Sequence, residues 1–425
     1  MSDASHTQSH NSRRFIISNG LQSLGDQLVS AKTVLPWLFH SAGVPGFFSA
    51  LLVPVREAGA MLPQAALTPW VTSHRARKGL WVAGSVGQAV AAGVIAAAAL
   101  WADGVALSGI VLVALAALAL CRAVCSLAGK DVQGRTIPKG SRGLITGRAT
   151  QLGGAATLIA GLGLALWSDI PRWGLALLLA IGAATWLGAA VSFRGIVEPE
   201  SAPESAPESA DAPSASPAGT AGTASAWWVD TWSLYRKDRN FRTFVNVRSL
   251  LLVSALSSSF IVLLAREAGQ DVLSGLAGFI LASGLASLVG GRVTGMWSDK
   301  SSRLVMANGA AVASLVVVAL VAAAHWLPGT AVAWIMPIGF FMVNLAHTAI
   351  RVARKTYVVD MAGGDKRTQY VGAANTMMGV ILLIVGAISG VFALAGPSTA
   401  LLFLAAIGAL GAWKARSMEE VSVRD

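Results

Sequence analysis

Long stretches of this 425-residue chain carry no Asp, Glu, Lys or Arg, and nothing else in it limits the fold so severely. Residues 80–102, 149–168, 173–193 and 272–291 are all of this kind. Each is about the 20 residues that a helix needs to cross the hydrocarbon core of a bilayer. Two longer uncharged runs, 304–350 and 368–413, are each long enough for two crossings. Each has a turn signal near its middle, HWLPG at 325–329 and AGPST at 395–399. The overall composition agrees: 54% of residues are hydrophobic and 12% are charged. A soluble domain carries about twice that charged fraction.

The periodicity predicts an all-α polytopic membrane protein with twelve transmembrane helices. The first six fall at 20–41, 46–70, 80–101, 105–126, 147–167 and 173–193. The last six fall at 248–266, 272–296, 304–325, 331–351, 369–393 and 398–415. Basic residues test the count. They collect before helix 1 and after helices 2, 4, 6, 8, 10 and 12, while the other loops hold only Arg172 and Arg266. Positive charge accumulates on the cytoplasmic side of membrane proteins, so the alternation places both termini there, in a bacterial-type inner membrane. It also accounts for the net charge of +11 without nucleic acid, since no basic patch interleaved with aromatics is present.

Between the two sets of six helices the composition changes. Residues 201–226 form an imperfect SAPE repeat with too little large apolar surface to bury, which reads as a disordered tether. WWVDTWSLYRKDRNFRTF at 227–244 follows, and its aromatic and basic residues suit a helix lying on the membrane surface. The expected organisation is therefore a tail (1–19), a six-helix bundle (20–194), a linker (195–226), an interfacial helix (227–247), a second bundle (248–416) and a short tail (417–425). The polar start MSDASHTQSHNSRR has no apolar core directly behind it and does not read as a cleaved signal peptide.

Six plus six helices around a long middle loop resemble the major facilitator superfamily of secondary transporters. GMWSDKSSR at 295–303 is similar to that superfamily's loop signature after helix 8, through Gly295, Asp299, Lys300 and Arg303. Ser302 stands where the signature has glycine. The resemblance implies a cytoplasmic gate: glycine permits close helix approach, the acid caps the start of the next helix, and the basic residues bind partners across the gate. The equivalent first-half stretch, TPWVTSHRARK at 68–78, keeps basic residues but lacks the glycine and the acid. RAVCSLAG at 122–129 is similar in part to a helix-4 motif of proton-coupled members, through Arg122. Helix 5 lacks the Gly-Pro pair of the drug antiporters. SLGDQLVSAKTVLPWL at 23–38 resembles the first helix of the lysophospholipid-transporter branch, which gives an alternative: a lysophospholipid or other amphiphile transporter or flippase. The resemblance implies two pseudo-symmetric six-helix bundles that rock about a midplane site.

Charges within the spans are few: Asp26, Lys32, Arg56 and Glu57. At membrane depth such groups face a cavity or one another. Lys32 and Glu57 fall at similar depth on neighbouring helices and are expected to pair. Arg56, rotated about 100° from Glu57, faces Asp26 or the cavity. Four charges that cancel would make an empty site neutral, and a carboxylate among them would carry a coupling proton. An ion pair that merely fixes helix 1 to helix 2 is the alternative. Asp26, Thr33 and His40 share one face of a continuous helix 1. Asn344, His347 and Arg351 share one face of helix 10, and Asn375 approaches them from helix 11. A plain helix-helix hydrogen-bond cluster is the simpler account of these four. The 45 glycines recur in clusters such as Gly153–Gly154, Gly161–Gly163 and Gly284 with Leu288–Gly291, and small residues of this kind permit close helix packing.

Other classes find no support. Six scattered histidines form no H-E-x-x-H pattern, and Cys121 and Cys125, one helical turn apart in an apolar run, lack further ligands. No cofactor or metal is expected, and no P-loop is present. A membrane-embedded enzyme and a receptor with a transporter-like body are the remaining alternatives. The expected partners are a small-molecule substrate, the lipid bilayer and protons, with the chain acting as a monomer.

Overall fold

Fifteen helices follow one another in the computed structural model, which describes residues 2–31, 34–166, 171–199, 226–267 and 276–422. The tether at 201–225 and the pair expected at Lys32 lie outside the described residues. The first pass comprises α1 (Ser2–Leu28) and α2 (Val34–Ser41), and the second α3 (Gly46–Met61) and α4 (Gln64–Thr72). α5 (Lys78–Trp101), α6 (Gly104–Thr136), α7 (Arg142–Leu166) and α8 (Arg172–Arg194) complete the first half. α9 (Ala226–Lys237) precedes the second half. There α10 (Arg239–Leu250) and α11 (Val253–Glu267) form one pass. α12 (Leu276–Trp326) makes two passes divided at Ser301, whose extended backbone (φ −160°, ψ 95°) interrupts the helix. α13 (Gly329–Met361), α14 (Gly364–Ala393) and α15 (Pro397–Arg416) complete twelve passes. The protein is an all-α, multi-pass membrane protein built as two six-helix bundles. Val113, Ile159, Val191, Leu315 and Val391 are each about two-thirds exposed or more on the outside of these bundles, where lipid covers apolar surface that water would not tolerate.

Several expected boundaries change. α1 starts at Ser2 rather than residue 20, because the polar tail packs on the end of α8. Asn11 donates from Nδ2 to the Val197 carbonyl and accepts from the Val197 amide, both at 2.9 Å. α1 ends at Leu28 and α2 begins at Val34, so helix 1 is not continuous and Asp26 and His40 stand on different helices. Thr33 and the side chain of His40 lie outside the described residues. The break in the second pass follows Pro63, which has no amide hydrogen to continue the ladder. The stretch expected to lie on the membrane surface divides at Asp238. α9 keeps Trp228 and Trp232 exposed, but α10 buries Phe241, Phe244, Val245 and Val247 in the bundle. Asp238 caps α10, its carboxylate accepting from the Phe241 amide at 2.9 Å.

The two halves meet unevenly. On the side where both chain ends pack, here the terminal side, one apolar core draws on both halves, from Phe15, Trp81 and Leu127 to Phe244, Tyr357 and Val371. On the opposite side each half has a core of its own, one around Leu35 and Ile95, the other around Ile261 and Phe340. Glycines set the close contact between α7 and α12. A Cβ on Gly295 would stand 2.5 Å from the Gly143 carbonyl, and one on Gly154 would stand 2.5 Å from the Leu288 amide. Gly147 and Gly291 meet in the same way, each against the other's carbonyl. No side chain fits there, so glycine is required for the two backbones to touch.

Candidate functional site

Between the halves lies a cavity of about 370 Å³, closed on the terminal side by the shared core and a polar clasp. α13 supplies three cations to it. Arg351, Arg354 and Lys355 are followed by Val358, so the spacing is three, one and three, and all four lie on one helical face. α6 supplies Arg122, Ser126 and Lys130 at intervals of four. Arg56 comes from α3 and the buried Arg248 from α10. Seven basic side chains thus line the cavity against two carboxylates, Asp26 and Glu57, an excess of five positive charges. The expected neutral site is corrected: three of these cations, Lys130, Arg354 and Lys355, stand on helical turns beyond the ends read from the sequence.

Asp26 sits at the centre of the first half's contribution. Its two oxygens accept separately, Oδ1 from Arg56 Nη2 and Oδ2 from Arg122 Nη2, each at 2.7 Å. Charge-assisted bonds of this length are the strong kind. Among the described residues, no carboxylate pairs with Lys130, Arg248, Arg351, Arg354 or Lys355. Nε of Arg248, Nε of Arg351 and Nη1 of Arg122 are buried without a hydrogen-bond partner. Like charges roughly 8 Å apart repel by about 2 kcal/mol at an effective dielectric of about 20, so a cavity of this kind is unfavourable until an anion enters it.

The clasp on the terminal side joins the halves through buried ion pairs. Asp131, fully buried on α6, lies 2.8 Å from Arg77, 2.6 Å from Arg135 and 3.6 Å from Arg367 of α14. Arg77 also donates to Thr368 Oγ1 at 2.9 Å. Arg142 pairs with Asp360 of α13 at 2.7 Å. Asp299 accepts from the Gly143 and Leu144 amides at 2.6 and 2.7 Å. It therefore caps α7 of the other half rather than the next helix of its own, where the N-terminal dipole favours a carboxylate. Removing one member of such a buried set strands the others uncompensated. The first half, lacking an acid in its loop at 68–78, takes Asp131 from α6 instead.

Other expected residues scatter. Arg122, expected at the gate, lines the central cavity. Lys300 is exposed, and Arg303 binds Glu420 at 3.2 Å and the Met418 carbonyl at 2.9 Å, within its own half rather than across the gate. Gly295 is at the glycine contact with α7. Asn344 donates to the Phe340 carbonyl and accepts from Ser283, and His347 Nδ1 faces Ser254 Oγ at 3.2 Å. Neither lines the cavity. Asn375 does, but it donates to Gln64 of α4 at 2.7 Å and not to the helix-10 pair. Lys130, Arg248, Arg354 and Lys355 were missed; the signal for the last two was the continuation of the Asn344, His347, Arg351 face.

No protein-family model matches the chain, and no curated protein matches it. Solved structures do. The E. coli fucose:proton symporter FucP superposes with a TM-score of 0.72 at 16% identity, over 96% of this chain and 98% of that one. The proton:xylose symporter XylE gives 0.67 at 12%, over 98% of each. The human organic anion transporter MFSD10 gives 0.66 at 13%, over 96% of this chain and 99% of that one. The chain has the major facilitator fold.

Proposed function

We propose that this protein is a secondary transporter that moves a small anion together with a proton by alternating access. The excess of five positive charges in the central cavity carries the reading. The fold shared with FucP, XylE and MFSD10 supports it, as their names join proton symport and organic anion transport on one architecture.

The coupling follows from Asp26. An anion that reaches Arg56 and Arg122 competes with the Asp26 carboxylate for their donors. With its two cations taken by the anion, that carboxylate is the group that receives the coupling proton, and the pair moves together. The terminal side is read as cytoplasmic, so the clasp at Asp131, Arg142 and Asp299 is the inner gate and this state is open outward. Release inward requires those bonds to break and the contact between α7 and α12 to part. One chain encloses the whole cavity, which supports a monomer as the transporting unit.

Melting of the purified full-length protein at matched ionic strength tests the anion preference. Inorganic phosphate, citrate and glucose are the probes. A ligand at 100 times its Kd adds about 2.7 kcal/mol, or a rise of a few degrees. At least one of the two anions is expected to give that rise and glucose none. A rise with glucose alone contradicts the reading.

A further inference from the structure

A second chamber of about 160 Å³ opens from the cavity into the first half, between α1, α5, α6 and α7. The two share Arg122, Ser126, Lys130 and Lys355, so three cations stand at their junction. Beyond the junction the chemistry changes. Asn19, Gln22, Ser23, Gln133, Thr146 and Thr150 line the chamber, and no carboxylate does so among the described residues. Phe15 and Trp81 complete the wall, the Trp81 ring being held by stacking on Phe193 at 3.9 Å between centroids.

Part of this polar lining is already used. Gln133 donates to Thr146 Oγ1 at 2.8 Å, and Thr150 donates to the Thr146 carbonyl at 3.0 Å. Gln22 is different. It is 4% exposed, and its Nε2 has no hydrogen-bond partner, with the weakly accepting Cys125 sulfur beside it. Leaving a buried amide donor unsatisfied costs about 1–3 kcal/mol. The Thr150 hydroxyl oxygen retains its acceptor capacity while it donates. The chamber therefore offers donors and acceptors, without net charge, next to a cluster of cations.

We propose that the transported anion is a phosphorylated polyol or sugar. Its phosphate sits at Arg122, Lys130 and Lys355, and its hydroxyl-bearing body enters the side chamber to meet Gln22, Ser23, Ser126 and Thr150. This rests on the reading of the central cavity as an anion site and adds what the anion is attached to. A phosphate monoester carries about −1.5 to −2 charge at neutral pH and three acceptor oxygens, which suits three cations better than a single carboxylate does. An acyl chain in the same chamber would strip water from Gln22, Asn19 and the hydroxyls and give them nothing in return.

Calorimetric titration of the purified full-length protein provides the test. The probes are inorganic phosphate, glycerol 3-phosphate, glucose 6-phosphate and a lysophosphatidic acid below its micellar concentration. At least one of the two polyol esters is expected to bind 10-fold or more tighter than inorganic phosphate. Gln22→Leu is expected to erase that gain while leaving the Kd for inorganic phosphate within 3-fold. Ser23→Ala, a smaller change confined to the side chamber, gives the same readout should Gln22→Leu fail to fold. Esters that bind no tighter than inorganic phosphate overturn the proposal and leave the anion reading standing. So does a gain that survives the substitution, or a lysophosphatidic acid that binds tightest. Failure of every phosphate probe to bind also overturns the proposal, and citrate added to the same titration decides whether the anion reading falls with it.

Discussion

Replacing Arg354 and Lys355 together by Gln is expected to weaken the binding of inorganic phosphate about 100-fold and, at the same time, to raise the melting temperature. The two effects point in opposite directions because these cations have no carboxylate to satisfy among the described residues. A charge-assisted hydrogen bond contributes about 1.5–3 kcal/mol, so losing the one from Lys355 together with the attraction of the neighbouring Arg354 charge reaches about 100-fold. In the empty protein Lys355 is repelled by Arg351, Lys130 and Arg122, and Arg354 by Arg351 against one attraction from Glu57, so removing both charges relieves a net repulsion. Sites kept for function at a cost in stability behave in this way. Equilibrium dialysis with labelled phosphate reads the first effect and thermal melting the second. Were the residues a structural feature of α13, the variant would lose stability and keep its affinity.

Asp26→Asn is expected to abolish accumulation while sparing exchange. In the wild-type protein one pH unit across the membrane, worth about 1.4 kcal/mol, sustains about 10-fold accumulation of an anion that moves with one proton. The carboxylate that alternates between two arginines and a proton is Asp26 in this account. Asparagine keeps the size and some of the hydrogen bonding but neither competes strongly for the arginines nor takes up a proton. Proteoliposomes containing the variant should therefore show counterflow of labelled substrate against unlabelled substrate, yet bring the ratio across the membrane only to about one under an acidic exterior. Retained accumulation would move the proton to another carboxylate, and Glu57, the other acid of the cavity, would be examined next.

The sequence made the passes legible and hid the site. Uncharged runs mark the hydrocarbon core directly, so the number of crossings and the six-plus-six division were readable. Helix ends were not. Helix 4 was expected to stop at 126 and helix 10 at 351, where charge begins, but α6 continues to Thr136 and α13 to Met361. Hydropathy treats charge as the end of a span because it assumes lipid outside. In these two helices the charged turns face a polar cavity instead, and Lys130, Arg354 and Lys355, counted as loop charges, are the ones that define it. The Asp26–Arg56 neighbourhood could be read, since both residues stand isolated among apolar ones. The end of α1 at Leu28 could not, for no proline or glycine marks residues 29–31. The gate acid Asp131 was likewise invisible, because it replaces a missing loop residue from a different helix.

An anion and a proton that cross together leave a joint trace inside a sealed vesicle. Proteoliposomes holding the purified protein and a trapped pH-sensitive dye record it. The exterior is made acidic, and inorganic phosphate, phosphate esters, citrate, fucose or xylose is added in turn. An anion of this panel is expected to enter and acidify the interior in step with its own uptake, while the neutral sugars do neither. Entry of a neutral sugar with protons, and of no anion, would contradict anion–proton symport.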